Sequence, residues 1–180
     1  MFWDWWQSLF TDTPAYAFFN FKFLPKYGSA VIQGVEYTLI LSVVSVLLAV
    51  LPALLLATMR FSKNRLIRWL SGAYIAIFRS TPMLVQLMII YFGVFFYIPV
   101  PKVMLFGFID STRFIPGVTA LALNSAAYVA EIFRAGILAV DSGQMEAARS
   151  LGLSQKQSMQ LVILPQAIKN VLPALAKEVV

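Results

Sequence analysis

The sequence predicts an all-α membrane protein that crosses the bilayer several times, and three observations carry that expectation. Hydrophobic residues make up 60% of the 180 residues and charged residues only 12%, roughly half the charged share of an ordinary soluble domain, and the mean hydropathy is +0.79. Leu39 to Met59 runs for 21 residues without a charge, which matches the roughly 20 residues that cross about 30 Å of hydrocarbon as a helix. The 14 Lys and Arg against 8 Asp and Glu, a net charge of +6, sit between apolar stretches, a pattern that orients membrane spans and gives no reason to expect a nucleic acid partner.

The chain has no Cys and no His. That removes disulfides, thiolate nucleophiles, imidazole acid-base chemistry and the commonest zinc ligands. Residues 1–30 read as an external or interfacial N-terminal segment. Trp3, Trp5 and Trp6 suit the headgroup level, and the absence of basic residues in the first 20 argues against a secretory leader.

The membrane domain is expected over 31–180, with the first span at about 33–59 and Pro52 inside it. The connector that follows carries Arg60, Lys63, Arg65 and Arg68 with no acid, so the positive-inside rule places it in the cytoplasm. A second span, about 69–98, is interrupted by Arg79, Ser80, Thr81 and Pro82 and is expected to be tilted or broken. Pro99, Pro101, Gly107 and Asp110 mark an external loop, and a third span from about 116 to 140 returns inward. Residues 141–164 are then cytoplasmic. A fourth apolar segment, 165–180, holds 16 residues, short of a full crossing.

The loop 141–164 reads as two short helices. Asp141 or Ser142 caps the first, and Met145, Ala148 and Leu151 recur every three residues along one face. Gly152 supplies a left-handed stop. Ser154 with Gln157 has the form of a capping box that starts the second helix. Periodicity alone fits either an amphipathic loop resting on lipid or a thin helix that docks in a partner's groove.

Glu146-Ala147-Ala148, then Gly152, then Val162-Ile163-Leu164-Pro165 resemble the EAA motif of binding-protein-dependent ATP-binding cassette importer permeases, with Val162 where Ile is usual. The stretches Tyr74 to Leu87 and Asn124 to Gly152 resemble the membrane subunits of polar amino acid importers, the histidine, glutamine, glutamate and arginine group, with Ser80 where many members have Gly. The resemblance runs from about Gly34 to the last residue.

The resemblance implies a type I importer helix bundle with five spans and the N terminus outside, of which about three and a part are visible, so the chain is expected to lack the fifth span and part of the fourth. It implies a multi-pass protein of the bacterial cytoplasmic (inner) membrane that moves a polar amino acid. Glu146, Ala147, Ala148, Gly152 and Leu153 would couple the chain to a separate ATPase. The implied partners are ATPase subunits, a second permease subunit, identical or related, and an external solute-binding protein. None of the nine Gly residues is followed by Lys, so no P-loop is present; ATP and Mg belong to the ATPase partner, and no cofactor, metal or catalytic residue is expected here. The alternative is a passive channel or membrane scaffold without nucleotide coupling.

Arg79 lies deep enough in its span to cost at least about 2.5 kcal/mol if it faced lipid unpaired. Pro82 breaks that helix, with Thr81 before it and Gln86 one turn after it. Asn124, Tyr128 and Glu131 share one face of the third span, and Arg134 lies where it could pair with Glu131. An amino acid zwitterion needs a donor for its carboxylate and an acceptor for its ammonium. Arg79 and Glu131 supply them, with Thr81, Gln86, Asn124 and Tyr128 along the same path; an interhelical hydrogen-bond cluster is the competing reading. Ala122, Ala126 and Ala130 form a separate row suited to close helix contact.

Overall fold

The computed structural model describes residues 23–179. The aromatic segment at Trp3, Trp5 and Trp6 therefore lies outside the described residues. Two compact units divide at Ile40 and Leu41. The described part of the first is the start of α1 (Phe23–Arg60), where Tyr27, Val31, Ile32, Val35 and Leu39 are exposed apolar side chains. The described part of the second runs over residues 41–179.

In this second unit α1 is apolar all round, as expected of a helix whose surroundings are lipid on most sides. Its packed face is a row at a spacing of four, Ser45, Ala49, Ala53 and Ala57, all buried. The three alanines join Ile75, Ala126, Ala127, Val129 and Ala130 in the main core cluster. Small side chains let backbones approach closely, the main source of helix attraction where lipid removes the hydrophobic drive. Ala126 and Ala130 of the expected alanine row are fully buried.

The helix α2 (Arg65–Ser80) begins at Asn64, whose side chain accepts from the Leu66 N–H at 2.9 Å. It ends at Thr81, held extended at φ −103° and ψ 139°, the conformation that a following proline enforces. The helix α3 (Met83–Tyr97) leaves at 107° to α2. Within α3, Ile89–Val94 is a π-helical turn in which the Phe95 N–H donates to the Ile90 carbonyl.

A short hairpin follows, β1 (Met104–Leu105) antiparallel to β2 (Ile109–Asp110), with Leu105 opposite Ile109. Its turn holds Phe106 at φ 53° and Gly107 at φ 80°. Ser111 ties the hairpin down, accepting from the Val103 N–H at 2.8 Å and donating to the Pro101 carbonyl at 2.6 Å.

The helix α4 (Ser111–Leu138) starts five residues before Pro116, because Asp110 caps it through the Thr112 N–H at 2.9 Å and the Thr112 hydroxyl at 2.7 Å. Proline is tolerated in a first turn or two, where few backbone donors have intrahelical partners. The helix α5 (Ser142–Ser150) is followed by α6, built from Gln155–Ser158, a π-helical turn Met159–Ile163 and Leu164–Val179.

The second helix of the loop thus continues without interruption through Pro165, and the apolar segment expected from 165 is the continuation of a helix that begins ten residues earlier. The π turn explains why. The Leu164 N–H reaches back five residues to the Met159 carbonyl, so the ladder widens just before the residue that has no N–H to give.

Among the described residues three helices are long and apolar enough to cross a membrane, Lys26–Arg60, Ser111–Leu138 and Gln155–Lys177, or four if the bent α2–α3 pair counts as one broken span. The most extensive helix contact is α4 against α6. Ile163, Ala167 and Val171 line up on α6 at a spacing of four and are buried. A Cβ added to Gly136 of α4 would collide with the Val171 side chain, so this crossing needs glycine.

Candidate functional site

Two places in the second unit gather the residues singled out from the sequence. The first is the bend between α2 and α3. The Gln86 amide nitrogen donates to the Phe78 carbonyl at 2.7 Å, to the Thr81 carbonyl at 2.9 Å and lies 2.7 Å from the Thr81 hydroxyl. The two carbonyls are acceptors left without helical donors by the break at Pro82. The Asn124 amide of α4 then donates to Gln86 Oε1 at 2.9 Å and points at the Phe78 carbonyl at 3.4 Å.

Gln86 is buried in this knot, with only 6% of its surface exposed. Tyr74 adds a tie that sequence spacing did not reveal: its hydroxyl donates to the Leu123 carbonyl at 2.8 Å, and its ring packs on Phe78 at 4.5 Å. Only the fold brings a helix carbonyl at 123 to a tyrosine at 74.

Arg79 stands apart from the knot. Its guanidinium lies 5.3 Å from the centre of the Tyr128 ring, a cation–π contact worth about 0.5–1 kcal/mol where water reaches it and more where it is dry. Glu131, one turn along α4, accepts from Arg134 Nε through both carboxylate oxygens, at 3.0 and 3.1 Å, and also from Arg134 Nη2. This pair keeps 21% and 29% of its side-chain surface exposed. Arg79, Tyr128 and Glu131 thus form a charged, partly open strip beside a closed, self-satisfied polar knot of Thr81, Gln86 and Asn124.

The second place is the α5 turn. Asp141 caps α5 through the Gly143 N–H at 2.6 Å. Glu146 and Ala147 are exposed, whereas Ala148 is buried against the start of α6. Gly152 adopts φ 88°, accessible to glycine at no steric cost, and the Ser154–Gln157 capping box is fully formed.

Leu151 does not continue the Met145–Ala148 face as the spacing suggested. The helix ends at Ser150, the chain turns, and Leu151 projects outward at 85% exposure. A helical-spacing argument cannot see this because its last member is the cap itself, where helical periodicity ends. Leu153 is half-buried. Among the described residues no group of three acidic side chains is placed to hold a metal ion.

The model of the family described as the binding-protein-dependent transport system inner membrane component matches residues 45–180. The chain belongs to this family. The binding-protein-dependent transport component is also similar to a Rickettsia prowazekii protein named as a candidate glutamine transport system permease, with 43% identity over 88% of this chain and 68% of the relative. It is 42% identical to the arginine transport system permease of Bacillus subtilis over 83% of this chain and 64% of that one. A solved crystal structure of an amino acid ABC transporter with histidines superposes with a TM-score of 0.77 at 45% identity, covering 88% of this chain and 70% of the other. Family membership makes the chain a multi-pass transport component of the inner membrane.

Proposed function

We propose that the chain is the permease subunit of an ATP-binding cassette importer for a polar amino acid, coupled to a separate ATPase through the α5 turn. The N terminus lies outside, and the Arg60–Arg68 turn and α5 lie in the cytoplasm. The observation that carries this reading is the form of the Glu146–Gly152 segment: a short capped helix with Ala148 turned inward, Glu146 and Ala147 facing out, and Leu151 projecting beside a left-handed Gly152. Such a knob, braced on the spanning helix α6, transmits a push at its tip as rigid motion.

The relatives named for glutamine and arginine support an amino acid as cargo. Arg79 on the Tyr128 face offers a planar donor for a carboxylate. Glu131 offers an acceptor for an ammonium, exchanging one Arg134 bond for one from the cargo. Thr81, Gln86 and Asn124 act by holding the bend that presents Arg79. A second permease subunit, identical or related, closes the pathway, and an external solute-binding protein delivers the cargo. ATP and Mg reside on the ATPase.

The test is uptake and ATPase activity of the assembled importer in proteoliposomes. Ala147→Glu is expected to abolish transport-linked ATP hydrolysis while the complex still forms helices of normal stability. Unchanged coupling in Ala147→Glu would overturn the docking role. Uptake of unchanged affinity and rate in Arg79→Ala and Glu131→Ala would overturn the pathway.

A further inference from the structure

The turn between α1 and α2 concentrates positive charge without any acid to meet it. Arg60, Lys63, Arg65 and Arg68 fall within nine residues, and no Asp or Glu occurs in the sequence from residue 37 to residue 109. Among the described residues none of the four makes an ion pair. Arg60 Nη1 reaches the Arg68 carbonyl only at 3.5 Å, and Arg68 Nη1 reaches the Ser62 carbonyl at 3.3 Å. Arg60 Nε is buried with no hydrogen-bond partner. The Glu131 carboxylate is bound by Arg134.

Arg60, Arg65 and Arg68 line an open cavity of about 760 Å³ together with Leu66 and Trp69, which are exposed at 62% and 66%. Arg65 and Arg68 occupy the first turn of α2, and no acidic residue shares it. A helix N-terminus carries partial positive charge, so two cations there repel it and an anion would relieve both. The cavity sits where the membrane-crossing α1 ends, with an aromatic and a leucine side chain beside the cations.

We infer that this cavity binds the headgroup of an anionic phospholipid, its phosphate between Arg60, Arg65 and Arg68 and its acyl chains along Leu66 and Trp69. Charge complementarity selects an anion. The exposed Leu66 and Trp69 select a lipid over a soluble anion, because an amphipathic ring at the headgroup level gains from contact with acyl chain and interface together.

The experiment titrates the purified chain in neutral detergent with short-chain phosphatidylglycerol, with phosphatidylcholine of the same chain length and with inorganic phosphate, reading retained ligand by native mass spectrometry and the thermal midpoint. Phosphatidylglycerol is expected to be retained and to raise the midpoint, with the other two without effect. Arg65→Gln with Arg68→Gln should weaken phosphatidylglycerol binding roughly thirtyfold, about fivefold for each cation removed near the surface. Arg65→Lys with Arg68→Lys should keep most of it, which separates loss of charge from loss of fold. Equal retention of the two lipids by the unaltered chain would overturn the inference, as would an effect of phosphate alone or unchanged binding in the Gln variant.

Discussion

The Asn124 amide donates to Gln86 Oε1 at 2.9 Å, across 38 residues of sequence. Through that bond α4 grips the point where α2 breaks into α3. Gln86 in turn spends its own donors on Phe78 and Thr81, so a single side chain both compensates the proline break and anchors it.

Gln86→Leu removes every one of these bonds while keeping similar bulk. It leaves the Thr81 carbonyl without its donor and the Phe78 carbonyl and Asn124 amide with only their long 3.4 Å contact to each other, for a cost of about 1–3 kcal/mol. The expected result is a lower thermal midpoint in detergent. Adding Asn124→Leu should then cost less than it does alone, and a double-mutant cycle measures the shared term, about 0.6 kcal/mol for average interhelical bonds in membranes.

Gly136→Val places a branched side chain into Val171 at the α4–α6 crossing. Overpacking of this kind destabilises by about 1–3 kcal/mol. Gly136→Ala is expected to show a smaller loss in the same thermal assay, because only one methyl must be accommodated.

Gly152→Val forces a β-branched residue to φ 88°, which costs of order 1–3 kcal/mol of backbone strain or re-aims α5. Gly152→Asn, which tolerates the left-handed region, should retain most of the function. Stimulation of ATP hydrolysis in the assembled importer distinguishes the two.

Leu151→Glu should disturb partner binding and leave the fold intact, since 85% of Leu151 is exposed. If Leu151 is seated in a partner's pocket, its loss costs at least about 2 kcal/mol of docking, roughly thirtyfold in affinity. Co-purification of the ATPase with the variant, beside an unchanged thermal midpoint, checks this.

Asp110 provides a pH dependence outside the spans. The Thr112 hydroxyl, followed by the Thr112 N–H, holds its carboxyl below the ordinary 3.8, with Lys102 and Arg113 adding to the effect. A pKa depressed on folding means that the ionised cap stabilises the hairpin–α4 junction fully above the ordinary carboxylate range. That contribution disappears as pH falls through the lowered value. The difference in thermal midpoint between the unaltered chain and Asp110→Ala should therefore be constant at neutral pH and shrink on acidification.

The local chemistry was legible from residues close in sequence. The uncharged run before Arg60, the proline break after Thr81, the Asp141 cap, the left-handed Gly152, the Ser154–Gln157 box and the Glu131–Arg134 pair all follow from neighbours within four residues, where helix geometry leaves few alternatives. The alanine row of α4 was visible too, but its counterpart Ser45–Ala49–Ala53–Ala57 was hidden in a helix apolar on every side, where periodicity marks no face.

What tertiary structure alone decided is where long-range partners fall: Asn124 on Gln86, the Tyr74 hydroxyl on the Leu123 carbonyl, Arg79 on the Tyr128 ring, and Leu151 outward at the helix end. A polar side chain in a span must find a partner, and sequence establishes that need. Which partner it finds depends on the 107° turn at Pro82 and on how closely the small-residue rows let the helices approach, and neither quantity is encoded in the spacing of any one segment.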